Sequence, residues 1–363
     1  MKINDKSQYI FQLKYAIIYP MIGGIMMAVK DLLLPQHYEN KLDLVTTEIA
    51  IKYVKDLFEK RLANHLNLMR VSAPLYVNSG SGLNDDLNGV ERSIHFDIKE
   101  LGMDMEIVHS LAKWKRMALK RYHIDVNKGI YTDMNAVRRD EDLDNLHSSY
   151  VDQWDWEKII AKKDRNIDML KHTVRMIMKA LVETQSEVIK VFENLEPFIY
   201  EDITFITTQE LADRYPHLNA KQREYEICKQ HKSVFLMEIG DRLNNGEVHD
   251  GRAPDYDDWH LNGDILIYYP ILDCVVELSS MGIRVDAKTL HTQLEKANCL
   301  KREQLPFHQM LLKDELPLTM GGGIGQSRIC LVLLNKAHIG EVQVSAWSDE
   351  MIAACEEYGI HIL

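Results

Sequence analysis

Apolar side chains return every third or fourth position along residues 46–66, at Ile49, Tyr53, Val54, Leu57, Phe58, Leu62 and Leu66. That spacing predicts a helix with one buried face, and Thr46 or Thr47 suits its N-cap. The following stretch, 70–77, is apolar, holds Pro74 and reads as extended chain. A second helix is predicted from about 166 to 195, with Ile167, Leu170, Val174, Ile177, Leu181, Val188 and Phe192 on one stripe. Its methionines, Met169, Met176 and Met178, read as gap-filling core. Strand-like runs lie at 105–108, 264–269, 275–278 and 283–285, and 329–334 reads as a buried helix. Helices and strands mix without βα alternation. The pattern predicts an α+β fold, a mainly antiparallel sheet flanked by helices. No repeat, low-complexity tract or linker divides the chain, so 34–363 is expected to be a single catalytic domain and 1–33 an extension of unknown role.

Residues 15–29 form an uncharged run, YAIIYPMIGGIMMAV. As a helix it would reach roughly 22 Å, short of the ~30 Å hydrocarbon core. Pro20, Gly23 and Gly24 weaken it further, and no small-x-small cleavage site follows. A partner-covering element, a targeting or anchoring element, and a start at Met26 or Met27 remain open; no membrane association is expected.

Composition is that of a globular protein, 46% hydrophobic and 27% charged over 363 residues. The 43 Lys and Arg against 55 Asp and Glu give −12, which disfavours extensive nucleic-acid binding. It leaves room for a small anion held by a few arginines. The five scattered cysteines contain no CxxC pair and read as reduced thiols, fitting a cytoplasmic location.

Five clusters carry candidate chemistry. Gly321, Gly322, Gly323 and Gly325 precede Gln326, Ser327 and Arg328. Glycines permit φ > 0 and close approach to a ligand, and the next helix start offers N–H donors. A tight strand-to-helix turn explains the glycines equally well, but Arg328 just inside a helix start opposes the helix dipole unless it meets a polyanion. Asp264 and Glu277 fall on neighbouring predicted strands, where two carboxylates repel unless a cation such as Mg²⁺ intervenes. Pairing of each with a surface base is the plainer alternative. In HSSYVDQWDWE (147–157), preceded by Arg138 and an acidic loop, Gln153, Asp155 and Glu157 alternate with Trp154 and Trp156. Period two puts the polar three on one face of a strand, either facing solvent or walling a polar pocket. Lys113, Lys115 and Arg116, after His109 and Ser110, suit an anionic substrate or a solvated helix start. The loop GRAPDYDDW (251–259) holds an ammonium group or is merely a turn.

Together these stretches resemble a known family. GGGIGQSR resembles the third signature of class II aminoacyl-tRNA synthetases, Arg138 with its acidic loop the second, and 49–74 the first, dimer-forming one. The similarity is closer still to the ammonia-dependent asparagine synthetases, or aspartate–ammonia ligases. It covers about 34–363 through LNDDLNG (83–89), HSLAKWKR (109–116), HSSYVDQWDWE, GRAPDYDDW, LNGDI (261–265) and ELSSMGIRVD (277–286). The resemblance implies amidation of L-aspartate by ammonia with ATP, through β-aspartyl-adenylate, in a homodimer. It implies that Arg138 clamps the α-phosphate, that Arg328 meets the triphosphate or adenine beside Gly323 and Gly325, and that Asp264 and Glu277 hold Mg²⁺. It further implies that Ser110, Lys115, Asp155, Asp257, Ser280 and Arg284 line the aspartate pocket with Gln153, and that Asp85 orients or deprotonates ammonium. A synthetase charging tRNA, or a non-catalytic nucleotide- and amino-acid-binding relative, is the alternative. The first would normally carry an anticodon-binding domain, and the second usually loses the phosphate arginines or the acids.

Overall fold

The computed structural model describes residues 32–85 and 91–363. The readings made on 1–31 and on the 86–89 part of LNDDLNG lie outside those residues. The described chain runs α1 (Leu44–Leu66), β1 (Leu68–Arg70), β2 (Tyr76–Asn78), β3 (His95–Ile98), β4 (Met103–Ile107), α2 (Ala112–Arg121), β5 (Gly129–Val137), β6 (Tyr150–Ile159) and α3 (Ile167–Val191). It continues through β7 (Thr204–Thr207), α4 (Thr208–Arg214), α5 (Ala220–His231), β8 (Ser233–Met237), β9 (Asp257–Tyr269) and β10 (Cys274–Arg284). Then come α6 (Ala287–Lys296), α7 (Pro306–Leu312), β11 (Thr319–Gly325), α8 (Gln326–Leu333) and α9 (Asp349–Glu357).

One sheet has the order β1-β5-β6-β11-β10-β9-β8-β7, and a smaller one the order β2-β4-β3. From β5 to β8 every pairing in the large sheet is antiparallel. Only the edges, β1 on β5 and β7 on β8, run parallel. The expected α+β architecture is therefore the one found.

The two faces of this sheet have opposite uses, and the period-two pattern separates them. Trp154, Trp156, Met281, Met320 and Ile324 turn to one side, into the main apolar core with residues of α1, α3 and α8. Phe58 of α1 lies 4.8 Å from Trp154, ring centre to ring centre. On the other face the register brings Gly323 beside both Asp155 and Ser280, and Ser280 beside Asp264.

Several boundaries differ from the sequence pattern. Asp43, not Thr46 or Thr47, caps α1, its carboxylate accepting from the Thr46 N–H. Ile51 rather than Ile49 lies on the buried stripe, because that stripe follows Thr47, Ala50, Val54, Phe58 and Leu62; Ile49 is 61% exposed. α3 starts close to the expected place, with Asn166 as its cap, but ends at Val191 and not near 195. The runs 275–278 and 283–285 are one strand, carried across Ser279–Gly282 by its pairing with β9 and β11 and bulged on the β9 side.

Candidate active site

The site is built on the polar face, and its floor is β11. The sequence left Gly321–Gly325 open between a loop approaching a ligand and a tight strand-to-helix turn; they pair as strand with β6 and β10, and none has a left-handed φ. Their need for glycine is spatial. A Cβ on residue 321 would overlap the Glu157 carboxylate, one on 323 the Gln153 amide, and one on 322 the Met281 side chain. Bare backbone leaves that volume to the larger neighbours.

On the same polar face runs a chain of buried charges. Lys115 is fully buried, bonded to Asp155 and to the Trp156 carbonyl (2.8 Å), and lies 3.7 Å from Glu157. Arg284 donates to Glu157 (2.7 and 3.0 Å) and to Asp257. Burial pushes the Asp155 carboxyl up and the Lys115 ammonium down. Burial also raises Glu157, but Arg284 and Lys115 outweigh it and hold that carboxyl below its ordinary value. Such a chain tolerates desolvation only because each charge has a partner.

The basic cluster of α2 needs correction. Lys113 pairs with Asp255 (2.8 Å), Lys115 with Asp155, and Arg116 donates to the Pro317 (2.8 Å) and Val285 (2.7 Å) carbonyls. All three are buried against protein, so they form neither a solvated helix start nor a free cationic surface. Lys115 stands behind Asp155 and is absent from the cavity wall.

The cavity above the floor holds about 320 Å³. Its wall contains Ser110, Arg138, Gln153, Asp155, Asp257, Asp264, Glu277, Ser280, Arg284, Gly323, Gly325 and Arg328. Asp85 is buried beside it, its carbonyl 3.0 Å from His109 Nδ1; burial, then the Asp85 charge, push up the phenol of Tyr256, a wall residue. Burial, then the Arg138 charge, hold His109 down. Arg138 approaches Glu141 (3.4 Å) through one amino group, while its Nε is buried with no partner among the described residues. Arg328 donates to the Glu277 carbonyl (3.0 Å) and stays 4.0 Å from that carboxylate. Two guanidinium groups on one wall, neither fully engaged, suit a phosphate-bearing ligand.

Asp264 and Glu277 sit on neighbouring strands of the wall, as expected. Burial pushes the Asp264 carboxyl up to about 7, with Arg252 pulling it down and Glu277 adding a smaller upward push. Asp264 shares its charge with Arg252 (2.6 Å), and Glu277 is partly exposed. Among the described residues no group of three acids or histidines makes a metal cage. Two hard carboxylates on one wall are nevertheless the kind of donor set that Mg²⁺ shares with phosphate oxygens.

Sequence reasoning passed over Arg252, which bonds Asp264 and Ser280, because its loop reads as a turn. Gln343 was also missed. It enters the wall from far along the chain, and no local pattern marks it. The five cysteines are unbridged. No helix among the described residues is long and apolar enough to cross a membrane.

A family model of aspartate-ammonia ligase matches residues 45–359. The chain is 59% identical over 335 residues to an aspartate--ammonia ligase of Clostridium perfringens, covering 92% of this chain and 100% of that one. It is 59% identical over 333 residues to the enzyme of the same name in Clostridium tetani, covering 92% and 98%. Among solved structures, the asparaginyl-tRNA synthetase of Entamoeba histolytica in complex with asparaginyl-adenylate superposes with a TM-score of 0.59 at 12% identity. That alignment covers 83% of this chain and 66% of the synthetase, and it shows a shared fold.

Proposed function

Since the chain belongs to the aspartate–ammonia ligase family, we propose that its cavity joins ammonia to L-aspartate by way of an adenylate. A carboxylate does not expel hydroxide, so the β-carboxyl must first be activated. One β-carboxylate oxygen attacks the α-phosphorus of ATP as the bond to the β-phosphate oxygen breaks, giving β-aspartyl-adenylate and pyrophosphate. Ammonia then attacks the acyl carbon, the bond to AMP breaks, and the nitrogen sheds one proton to leave the amide.

Arg138 and Arg328 take the phosphates, where charge builds in the transition state. Asp264 and Glu277 would hold Mg²⁺, which when bound offsets the charge of the phosphates. Gln153, Asp155, Asp257, Ser110, Ser280 and Arg284 bind aspartate, with Lys115 fixing Asp155 from behind. Ammonia is mostly protonated at neutral pH, and Asp85 is assigned to orient or deprotonate it. We place the whole reaction in one unit, 34–363, acting in the cytoplasm. The observation that carries the reading is the shared wall of Arg138, Arg328 and the aspartate-side polar groups.

The test is formation of asparagine and AMP from aspartate, MgATP and ammonium, with glutamine and tRNA added separately. Equal asparagine and AMP with ammonium alone is expected. ADP as the nucleotide product, or a requirement for tRNA, overturns the reading. Glu277→Gln should weaken MgATP binding in a calorimetric titration; wild-type affinity with a lowered melting temperature would make Glu277 a scaffold residue.

A further inference from the structure

The first turn of α8, which sets the place of Arg328, is tied down from two sides. The Ser327 N–H donates to Asp152 Oδ1 (3.0 Å), and Gln326 Nε2 donates to Asp133 Oδ1 (3.0 Å). These carboxylates stand on adjacent strands, β6 and β5. The second oxygen of each takes a cation from one continuous stretch of chain. Lys55 Nζ of α1 reaches Asp152 Oδ2 (2.9 Å), and Arg70 of β1 reaches Asp133 Oδ2 (2.9 and 3.1 Å). Asp152 is nearly buried, and Gln343 closes its side by donating to Ser327 Oγ (3.0 Å) and to Asp152 Oδ1 (3.3 Å).

The N–H groups of a first helical turn have no acceptor within the helix, so a carboxylate there is an ordinary cap. Two features go beyond a cap. Each carboxylate is clamped at both oxygens, which removes its freedom to rotate, and both clamps end on the two residues just before Arg328. We propose that Lys55 and Arg70 are positioning residues for Arg328: acting through Asp152 and Asp133, they set where its guanidinium meets ATP. The proposal rests on the assignment of Arg328 to ATP made above. Neither Lys55 nor Arg70 lies on the cavity wall, so neither touches substrate.

The full chain carrying Lys55→Met, and separately Arg70→Met, is assayed for KM of ATP, aspartate and ammonium, kcat and melting temperature. Lys55→Met should raise KM for ATP roughly tenfold, as loss of a hydrogen bond to a charged group does. Arg70→Met, whose pair is more exposed, should raise it about threefold. KM for aspartate should stay within about twofold, because the aspartate side is anchored by Arg284 and Lys115. Lys55→Arg should restore most of the loss. In an Arg328→Ala background, where MgATP affinity is read by calorimetric titration instead of turnover, Lys55→Met should add little, since both act on one contact. Wild-type KM for ATP in both variants overturns the proposal. A parallel rise for aspartate, failure of the arginine rescue, or an undiminished effect without Arg328 overturns it equally. If Lys55→Met does not fold, Arg70→Met decides alone. If the wild-type protein makes no asparagine, the assigned function fails separately, and direct MgATP titration of the same variants still reads the clamp.

Discussion

Gln153 and residue 323 compete for one volume. The Gln153 amide occupies the space a side chain on 323 would fill, so Gly323→Ala must push it aside. The neighbour that yields is the end of a flexible side chain, so the fold should survive. Activity should fall roughly 100-fold, the order that misplacement of a reacting group by about an ångström costs. Stopped assays with saturating aspartate, beside an unchanged melting temperature, check this. Lys115 carries the opposite expectation. Lys115→Met leaves Asp155 and Glu157 buried with one cation fewer, so it should cost about 3–5 kcal/mol in urea unfolding before any question of catalysis. Arg138→Ala and Arg328→Ala should each abolish ATP–pyrophosphate exchange while unfolding at the wild-type denaturant concentration; near-normal exchange in either would refute the phosphate clamp. The alternation of Gln153, Asp155 and Glu157 with two tryptophans was readable because a strand assigns faces by parity. The place of Lys115 was not, since nothing local says whether a lysine on a helix meets a substrate or a buried acid.

At the scale of elements, α1 shows what periodicity tells and what it leaves open. The stripe was legible, yet its phase was set by Ala50 and Ile51, and Ile49 faces outward with Leu44 and Val45. Met69 on β1 is also half exposed. Leu44, Val45 and Ile49 gather without cover on the first two turns of the helix. This is the surface expected to bury a second copy. Sedimentation should find a dimer, and Val45→Asp combined with Ile49→Asp should convert it to monomer; a stable, active wild-type monomer at micromolar concentration would refute the interface. The glycine stretch stayed open between a ligand-approaching loop and a turn for a related reason. Glycine composition signals freedom of backbone and absence of bulk alike, and only the pairing of 321–325 with β6 and β10 tells which is used.

Across the whole molecule, acid stability should bear the mark of one histidine. His338 Nδ1 accepts from the Gly340 N–H (3.0 Å), and the ring lies 4.7 Å from that of Trp347. Burial holds its pKa down at about 4. In the unfolded chain a histidine takes its proton near pH 6.5. Between those values the unfolded state binds the extra proton, so stability falls as pH falls through that window. From pH 7 to 5 the contribution is about 2 kcal/mol. Urea unfolding at both values should show wild type losing that much more than His338→Asn, whose amide oxygen can replace Nδ1 as acceptor. Equal losses would mean that His338 protonates in the native state too.

The floor of the cavity bears on how this protein can change. Peptide groups are the same under every codon, so a surface made of main chain offers mutation nothing to exchange and much to obstruct. At 321 and 323, natural variation and laboratory libraries alike can only add atoms to space already claimed by Glu157, Arg284 and Gln153. New substrate preferences therefore have to be found in the walls, with the floor as the fixed datum against which they are measured. A saturation library across 321–325 selected for asparagine prototrophy should return glycine at those two positions. Libraries at Ser110 and Ser280, screened for AMP release with analogues of aspartate, are where altered preference should accumulate.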